Sequence, residues 1–235
     1  MTAPLSGRNA DTGGLQLEKA GVVAESNGKF TAVDGGEQTN IPNIYAVGDV
    51  LAGRVELTPV AIRAGELLAK RLFAGATKTM DYEMVATTVF TPTEYGTVGL
   101  TEEQAVAKYG ADALDTYLWQ WSTLEHQAAH RLKAKSVRAD IVDSMPANCM
   151  SKLVCLKAEG GKVVGFHFVG PNAGEVTQGF GLAVKVGVTK ADFDDCVGIH
   201  PTDAEAMCTM EVKRADVKEP GDWTASGGCG GGKCG

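Results

Sequence analysis

The stretch SKLVCLKAEGGKVVGFHFVG, residues 151–170, constrains the fold more than any other part of this 235-residue chain. Two apolar, β-branched runs flank Glu-Gly-Gly-Lys, and such runs around a short glycine turn pair most readily as an antiparallel hairpin. A lone hairpin is marginal in water and needs more strands or a covering helix. Candidates lie on both sides. VATTVFTPTEYGTVGL, beginning at Val85, is β-branched and punctuated by Pro and Gly, and DTYLWQWSTL reads as a strand. TEEQAVAKYG predicts a short helix, with Thr101 and Gln104 as a capping box and Gly110 as its stop. GEVTQGFGLAVKVGV predicts a helix whose glycines allow close packing against a neighbour. Residues 85 to about 215 therefore read as an α+β domain with an antiparallel sheet. From Asp216 to Gly235 apolar periodicity stops, and Trp223 is the only large apolar group left.

The N-terminal part has another character. NIPNIYAVGDVLAG predicts a turn, a buried strand from Ile44 to Val47 and a Gly-Asp turn. ELTPVAIRAGELLAKRLFAG then predicts a helix, with Thr58 as N-cap, Pro59 at the first helical position, and Val60, Ala64, Leu67, Leu68 and Leu72 at helical spacing up to Gly75. A carboxylate just past a buried strand, Asp49, followed by a helix N-terminus at Leu57, Thr58 and Pro59, offers an acceptor for ligand hydroxyls beside donors for a polarised carbonyl. Gly-Asp turns are common, so the same residues also fit an ordinary turn.

Composition excludes several classes. A net charge of −7 with a pI near 5.2, and no cluster of Lys and Arg, argues against a nucleic-acid partner. No apolar run approaches the ~20 residues that span a bilayer, so no membrane association is expected. MTAPLSGRNADTGG lacks a basic segment followed by an apolar one, so no secretory signal is visible. A reducing compartment, cytoplasmic or organellar, is the default.

Six cysteines at 149, 155, 196, 208, 229 and 234 are too sparse and too irregular for a disulfide framework. Cys155, inside a strand-like run, reads as a small buried hydrophobe, and Cys149, Cys196 and Cys208 take the same reading. Burial cannot explain Cys229 and Cys234, because GGCGGGKCG has nothing to pack. Two thiolates could also bind a soft metal such as Cu(I) or Zn, but two ligands make an incomplete site, and no metal site is expected.

HPTDAEAM carries the remaining chemistry. Glu205 lies five residues beyond His200, and a carboxylate on an imidazole raises its pKa and fixes its tautomer, as a general base near neutral pH requires. The alternative is structural: Thr202 and Glu205 also match a capping box, with Glu205 bonded to the N-cap amide. His126, His130 and His167 have no such companion and read as surface or packing residues.

NIPNIYAVGDV…LTPVAIRAGELLAKRLFAG, VATTVFTPTEYGTVGLTEEQA, KVVGFHFVGPNAGEVTQGFGLAVK and HPTDAE, in that order, resemble the C-terminal half of the pyridine nucleotide-disulfide oxidoreductases, from about Gly7 to Glu211. The spacing is closest to the high-molecular-weight thioredoxin reductases, and GGCGGGKCG resembles the C-terminal redox pair of their apicomplexan-type members. Glutathione reductase and dihydrolipoamide dehydrogenase, the related alternatives, lack such a tail.

The resemblance implies an α/β flavoprotein reductase ending in an antiparallel-sheet dimerisation domain. Residues 1–17 would be a remnant of the NADPH-binding domain, 18–84 the end of the FAD-binding domain, 85–215 the interface domain and 216–235 a flexible redox tail. Asp49 would bind the FAD ribityl hydroxyls, and Leu57, Thr58 and Pro59 would face the flavin carbonyl end. His200 with Glu205 would be the acid/base pair serving the partner subunit's site in a homodimer. Cys229 and Cys234 would carry electrons from a buried dithiol to thioredoxin; Gly230, Gly231 and Gly232 permit the ring to close, and Lys233 favours the thiolate. The chain departs from the family by lacking Gly-x-Gly-x-x-Gly fingerprints for FAD and NADPH and a Cys-x-x-x-x-Cys before residue 149. It is thus expected to be the C-terminal half of a longer protein, and alone to be inactive, a dimerisation fragment.

Overall fold

The structure, a computed structural model, describes residues 9–123 and 149–217. They divide into two compact units, one ending at Tyr82 and the other beginning at Glu83.

In the first unit helix α1 (Thr58–Ala74) buries Val60, Ala64 and Leu67 at i, i+4 and i+7, the stripe its sequence spacing dictates. Gly75 ends it in the left-handed region (φ 64°), with its N–H bonded to Lys70 O. A second small core joins Val22, Phe30, Ala46 and Leu51. The predicted strand from Ile44 to Val47 does not form. Isolated bridges take its place, Gln38 to Tyr45 and Phe30 to Leu51. The cause is local: Ile44 N–H turns back to Ile41 O (3.0 Å) and Gly48 begins a 3-10 turn, so too few residues stay extended to build a ladder. Beneath α1 the fully buried Glu37 receives the Arg71 guanidinium and the Tyr82 hydroxyl (2.8 Å). Burial, and then Glu37 itself, push the Tyr82 hydroxyl pKa well up.

The second unit is a five-stranded antiparallel sheet in the order β1-β2-β5-β4-β3. Its strands are β1 (Thr87–Val89), β2 (Tyr95–Gly99), β3 (Leu114–Trp121), β4 (Cys149–Leu156) and β5 (Lys162–Val169). The predicted hairpin is β4–β5, its turn a 3-10 segment, Lys157–Glu159, completed by Gly160 and Gly161 at φ 68° and 80°. Both strands are central and buried on both faces, which is why their sequences run apolar without alternation. One face packs Leu153, Cys155, Phe166 and Phe168 with Ala173 and Val184 of helix α3 (Ala173–Val186); the other packs Val154, Leu156 and Val164 with Ala105 of helix α2 (Glu102–Tyr109). Each buried Val, Leu or Phe among them contributes roughly 1.5–3 kcal/mol.

The register jumps from Val154↔Gly165 to Cys155↔Val163, leaving Val164 as an extra residue on β5. This bulge lets Val163 and Phe166 share one face while Val164 serves the other. Gly165 is obligatory there, because a Cβ would stand 2.2 Å from Leu100 O. The capping box at Thr101 and Gln104 and the stop at Gly110 start and end α2 as expected. A Cβ on Gly181 of α3 would stand 3.2 and 3.3 Å from Val98 and Ala86, the close approach its sequence predicts, whereas Gly179 faces open space.

Candidate active site

Helix α4 (Lys190–Asp195) begins at a Thr189–Asp192 capping box and ends at Cys196, where the backbone becomes extended. The chain then runs through Gly198 to His200, turns, and enters a 3-10 helix, Ala204–Cys208. Ala206, Met207 and Cys208 are buried, which anchors this short helix and fixes where Glu205 stands. His200 Nδ1 lies 3.0 and 3.1 Å from the two Glu205 carboxylate oxygens.

The capping alternative is half realised. Thr202 Oγ1 accepts the Glu205 N–H (3.3 Å) and donates to Ile199 O (2.7 Å), but the Glu205 carboxylate goes to the imidazole. One carboxylate binding Nδ1–H leaves Nε2 as the atom that takes or gives a proton. The His200 side chain is 57% exposed and Glu205 29%, so the ring is reachable while its partner is sheltered.

The second constellation lies in the first unit. Gly48 (φ 76°) opens the turn that carries Asp49, and a Cβ on it would stand 3.0 Å from Ala61 Cβ, so the turn lies directly on the first turns of α1. Helix α1 starts at Thr58, not Pro59, and the capping position belongs to Leu57, which has no side-chain acceptor. Pro59 brings no N–H and the Val60 N–H closes onto Leu57 O (3.0 Å), leaving the Thr58 N–H and the helix dipole directed outward without a cap. Asp49, Thr58 and Pro59 are exposed and Leu57 is half-buried. An exposed carboxylate beside an uncapped helix N-terminus fits a ligand that offers hydroxyls at one end and a carbonyl at the other.

Cys229 and Cys234 lie outside the described residues, as do His126, His130 and Trp223. Of the cysteines described, Cys149, Cys155 and Cys208 are buried and Cys196 is exposed. Burial pushes the Cys155 thiol up to about 12, as expected of a core residue. Cys196 departs from the expected burial because it ends α4 and opens the loop to His200. His167 is a packing residue on β5: Nε2–H donates to Leu100 O (3.1 Å), and Nδ1 accepts from Tyr95 OH (2.6 Å) and Thr97 Oγ1 (3.0 Å).

Sequence reasoning missed Gly198. A Cβ there would stand 2.6 Å from Glu205 Cβ and 3.0 Å from its Cα. The glycine preceding the motif was the available signal. No helix among the described residues is long and apolar enough to cross a membrane.

Residues 85–211 match the dimerisation domain of the pyridine nucleotide-disulphide oxidoreductases, and residues 5–65 match the pyridine nucleotide-disulphide oxidoreductase domain. The chain is 48% identical over 231 residues to a thioredoxin reductase of Plasmodium falciparum (isolate FCH-5), an alignment covering 97% of this chain and 42% of that protein. It is 48% identical over 233 residues to thioredoxin reductase SEP1 of Emiliania huxleyi, covering 96% of this chain and 43% of the relative. The chain thus spans about two fifths of the length of the curated relatives it matches. By its match over 85–211, more than half its residues, the chain belongs to the pyridine nucleotide-disulphide oxidoreductase family.

Proposed function

We propose that this chain supplies the C-terminal part of an NADPH-dependent, FAD-containing thioredoxin-disulfide reductase that works as a homodimer. The observation that carries the reading is the pairing of His200 Nδ1 with the Glu205 carboxylate on an exposed loop. Each thiol–disulfide exchange expels a thiolate, and a proton delivered to that sulfur stops the step from reversing. His200 Nε2 holds and returns that proton, while Glu205 orients the ring. The 48% identity to proteins named thioredoxin reductase, running along nearly the whole chain, supports the substrate.

Asp49 and the uncapped start of α1 at Leu57, Thr58 and Pro59 are the residues of this chain that would hold FAD, through the carboxylate and the Thr58 N–H respectively. FAD, when bound, supplies the two-electron link between NADPH and a dithiol. Self-association is supported by the exposed apolar side chains of the second unit. Leu182 and Val186, one turn apart on α3, are 68% and 77% exposed, and Phe90, whose ring lies 3.4 Å from where a Gly174 Cβ would be, is 77% exposed. Cys229 and Cys234 relay electrons outward to thioredoxin.

The test joins this chain to the N-terminal part of a thioredoxin reductase relative and measures NADPH-dependent reduction of thioredoxin. Cys234→Ser should abolish it, while NADPH still bleaches the flavin and a small disulfide reagent still turns over. Full thioredoxin reduction by Cys234→Ser in chelator-treated buffer would overturn the shuttle, and a joined chain that takes up no flavin would overturn the assignment of Asp49 and α1.

A further inference from the structure

The loop around His200 holds a second pair of sulfurs. Gly198 lies against Glu205, so close that a Cβ on the glycine would stand 2.6 Å from Glu205 Cβ, and helix α4 packs against the 3-10 helix that ends in Cys208. Residues three apart on a 3-10 helix share a face, so the face that meets Gly198 through Glu205 presents Cys208 one turn further on. Two residues before Gly198 stands Cys196, and the Cys208 thiol has the Cys196 thiol as its neighbour. One sulfur is exposed and the other buried.

We propose that Cys196 and Cys208 form a redox-active dithiol, distinct from the tail pair, which a small organic disulfide converts to an intramolecular disulfide across the base of the His200 loop. The exposed Cys196 meets the oxidant first. Its thiolate attacks one sulfur of the reagent, the reagent's S–S bond breaks, a mixed disulfide forms on Cys196 and one reagent thiolate leaves. The Cys208 thiolate then attacks the Cys196 sulfur, closes the Cys196–Cys208 bond and expels the second reagent thiolate. Two protein thiols are oxidised, one reagent disulfide is reduced to two thiols, and the two protein protons pass to the leaving sulfurs through solvent.

The order of the steps follows from the surroundings. Burial first, then the neighbouring Cys196 thiol and the carboxylates of Asp194 and Glu205, push the Cys208 thiol up to about 11. Cys208 is therefore a poor first nucleophile, and a resolving one only because its target is held beside it. Closure would tether both ends of the segment that carries His200 and Glu205. The inference does not depend on the thioredoxin reading, since it concerns two thiols of this chain and a generic oxidant.

The test uses the full chain carrying Cys229→Ser and Cys234→Ser, reduced, exposed to 2-hydroxyethyl disulfide under native conditions, then alkylated and mapped by mass spectrometry. The expected product is a Cys196–Cys208 linked peptide, with Cys149 and Cys155 alkylated only after unfolding. Adding Cys208→Ser, or Cys208→Ala should the serine destabilise the core, should strand the reagent as a mixed disulfide on Cys196. Adding Cys196→Ser should leave Cys208 a thiol. Closure of the mixed disulfide should speed up about tenfold per pH unit as long as the Cys208 thiol stays mostly protonated. A Cys196 mixed disulfide as lasting in the parent as in the Cys208 variants would overturn the proposal, and so would a Cys196 that the reagent does not touch.

Discussion

Gly198 lies flush against Glu205, the carboxylate partner of His200, leaving no room for a side chain between the two backbones. Gly198→Ala forces one segment to move. The expected result is a loss of ~1–3 kcal/mol in urea denaturation, the usual cost of overpacking, together with slower thioredoxin reduction in the joined enzyme at unchanged flavin content. Wild-type stability and turnover would show that the loop yields at no cost.

His200 is proposed to carry the proton, and Gln at that position keeps the polarity but cannot titrate. His200→Gln in the joined enzyme should slow dithiol exchange by ~10²–10⁴ while flavin binding stays intact. Wild-type turnover would reduce the Glu205 contact to a structural one.

His167 contributes a pH dependence of stability. Burial, and then the Lys152 charge, lower its pKa below 6.5. The native state then binds fewer protons than the unfolded chain in the window just below 6.5, so this contribution is complete above it and is lost as pH falls. Urea midpoints should decline from about pH 7.5 to about pH 5, and His167→Asn should flatten the decline. An identical slope in the variant would assign the acid sensitivity elsewhere.

Glu37 is fully buried, and Arg71 is its cation. Arg71→Ala should therefore cost ~3–5 kcal/mol by leaving a buried carboxylate unpaired. Adding Glu37→Gln should return part of the loss, because a neutral amide needs no counter-charge. Thermal unfolding of the single and double variants decides this, and a double variant no more stable than Arg71→Ala would contradict it.

Sequence alone determined the elements whose signals are local. The hairpin of β4 and β5, the capping box at Thr101 and Gln104, and α1 and α3 were readable because β-branched runs, glycine turns and helix caps act within a few residues. The six residues from His200 to Glu205 were equally readable, but their spacing served a cap and an ion pair alike. Tertiary structure decided between them: burial of Ala206, Met207 and Cys208 fixed the 3-10 helix, the carboxylate turned to the imidazole, and only the Thr202 half of the cap remained. It also decided what needs a distant partner. The strand expected from Ile44 to Val47 shrank to a single bridge with Gln38, because the backbone turns at Ile44 and again at Gly48. The extra residue Val164 is set by two cores competing for opposite faces of one strand. Cys196 and Cys208, twelve positions apart, became neighbours only when α4 packed on the 3-10 helix, because contacts between elements depend on how they pack and not on spacing along the chain.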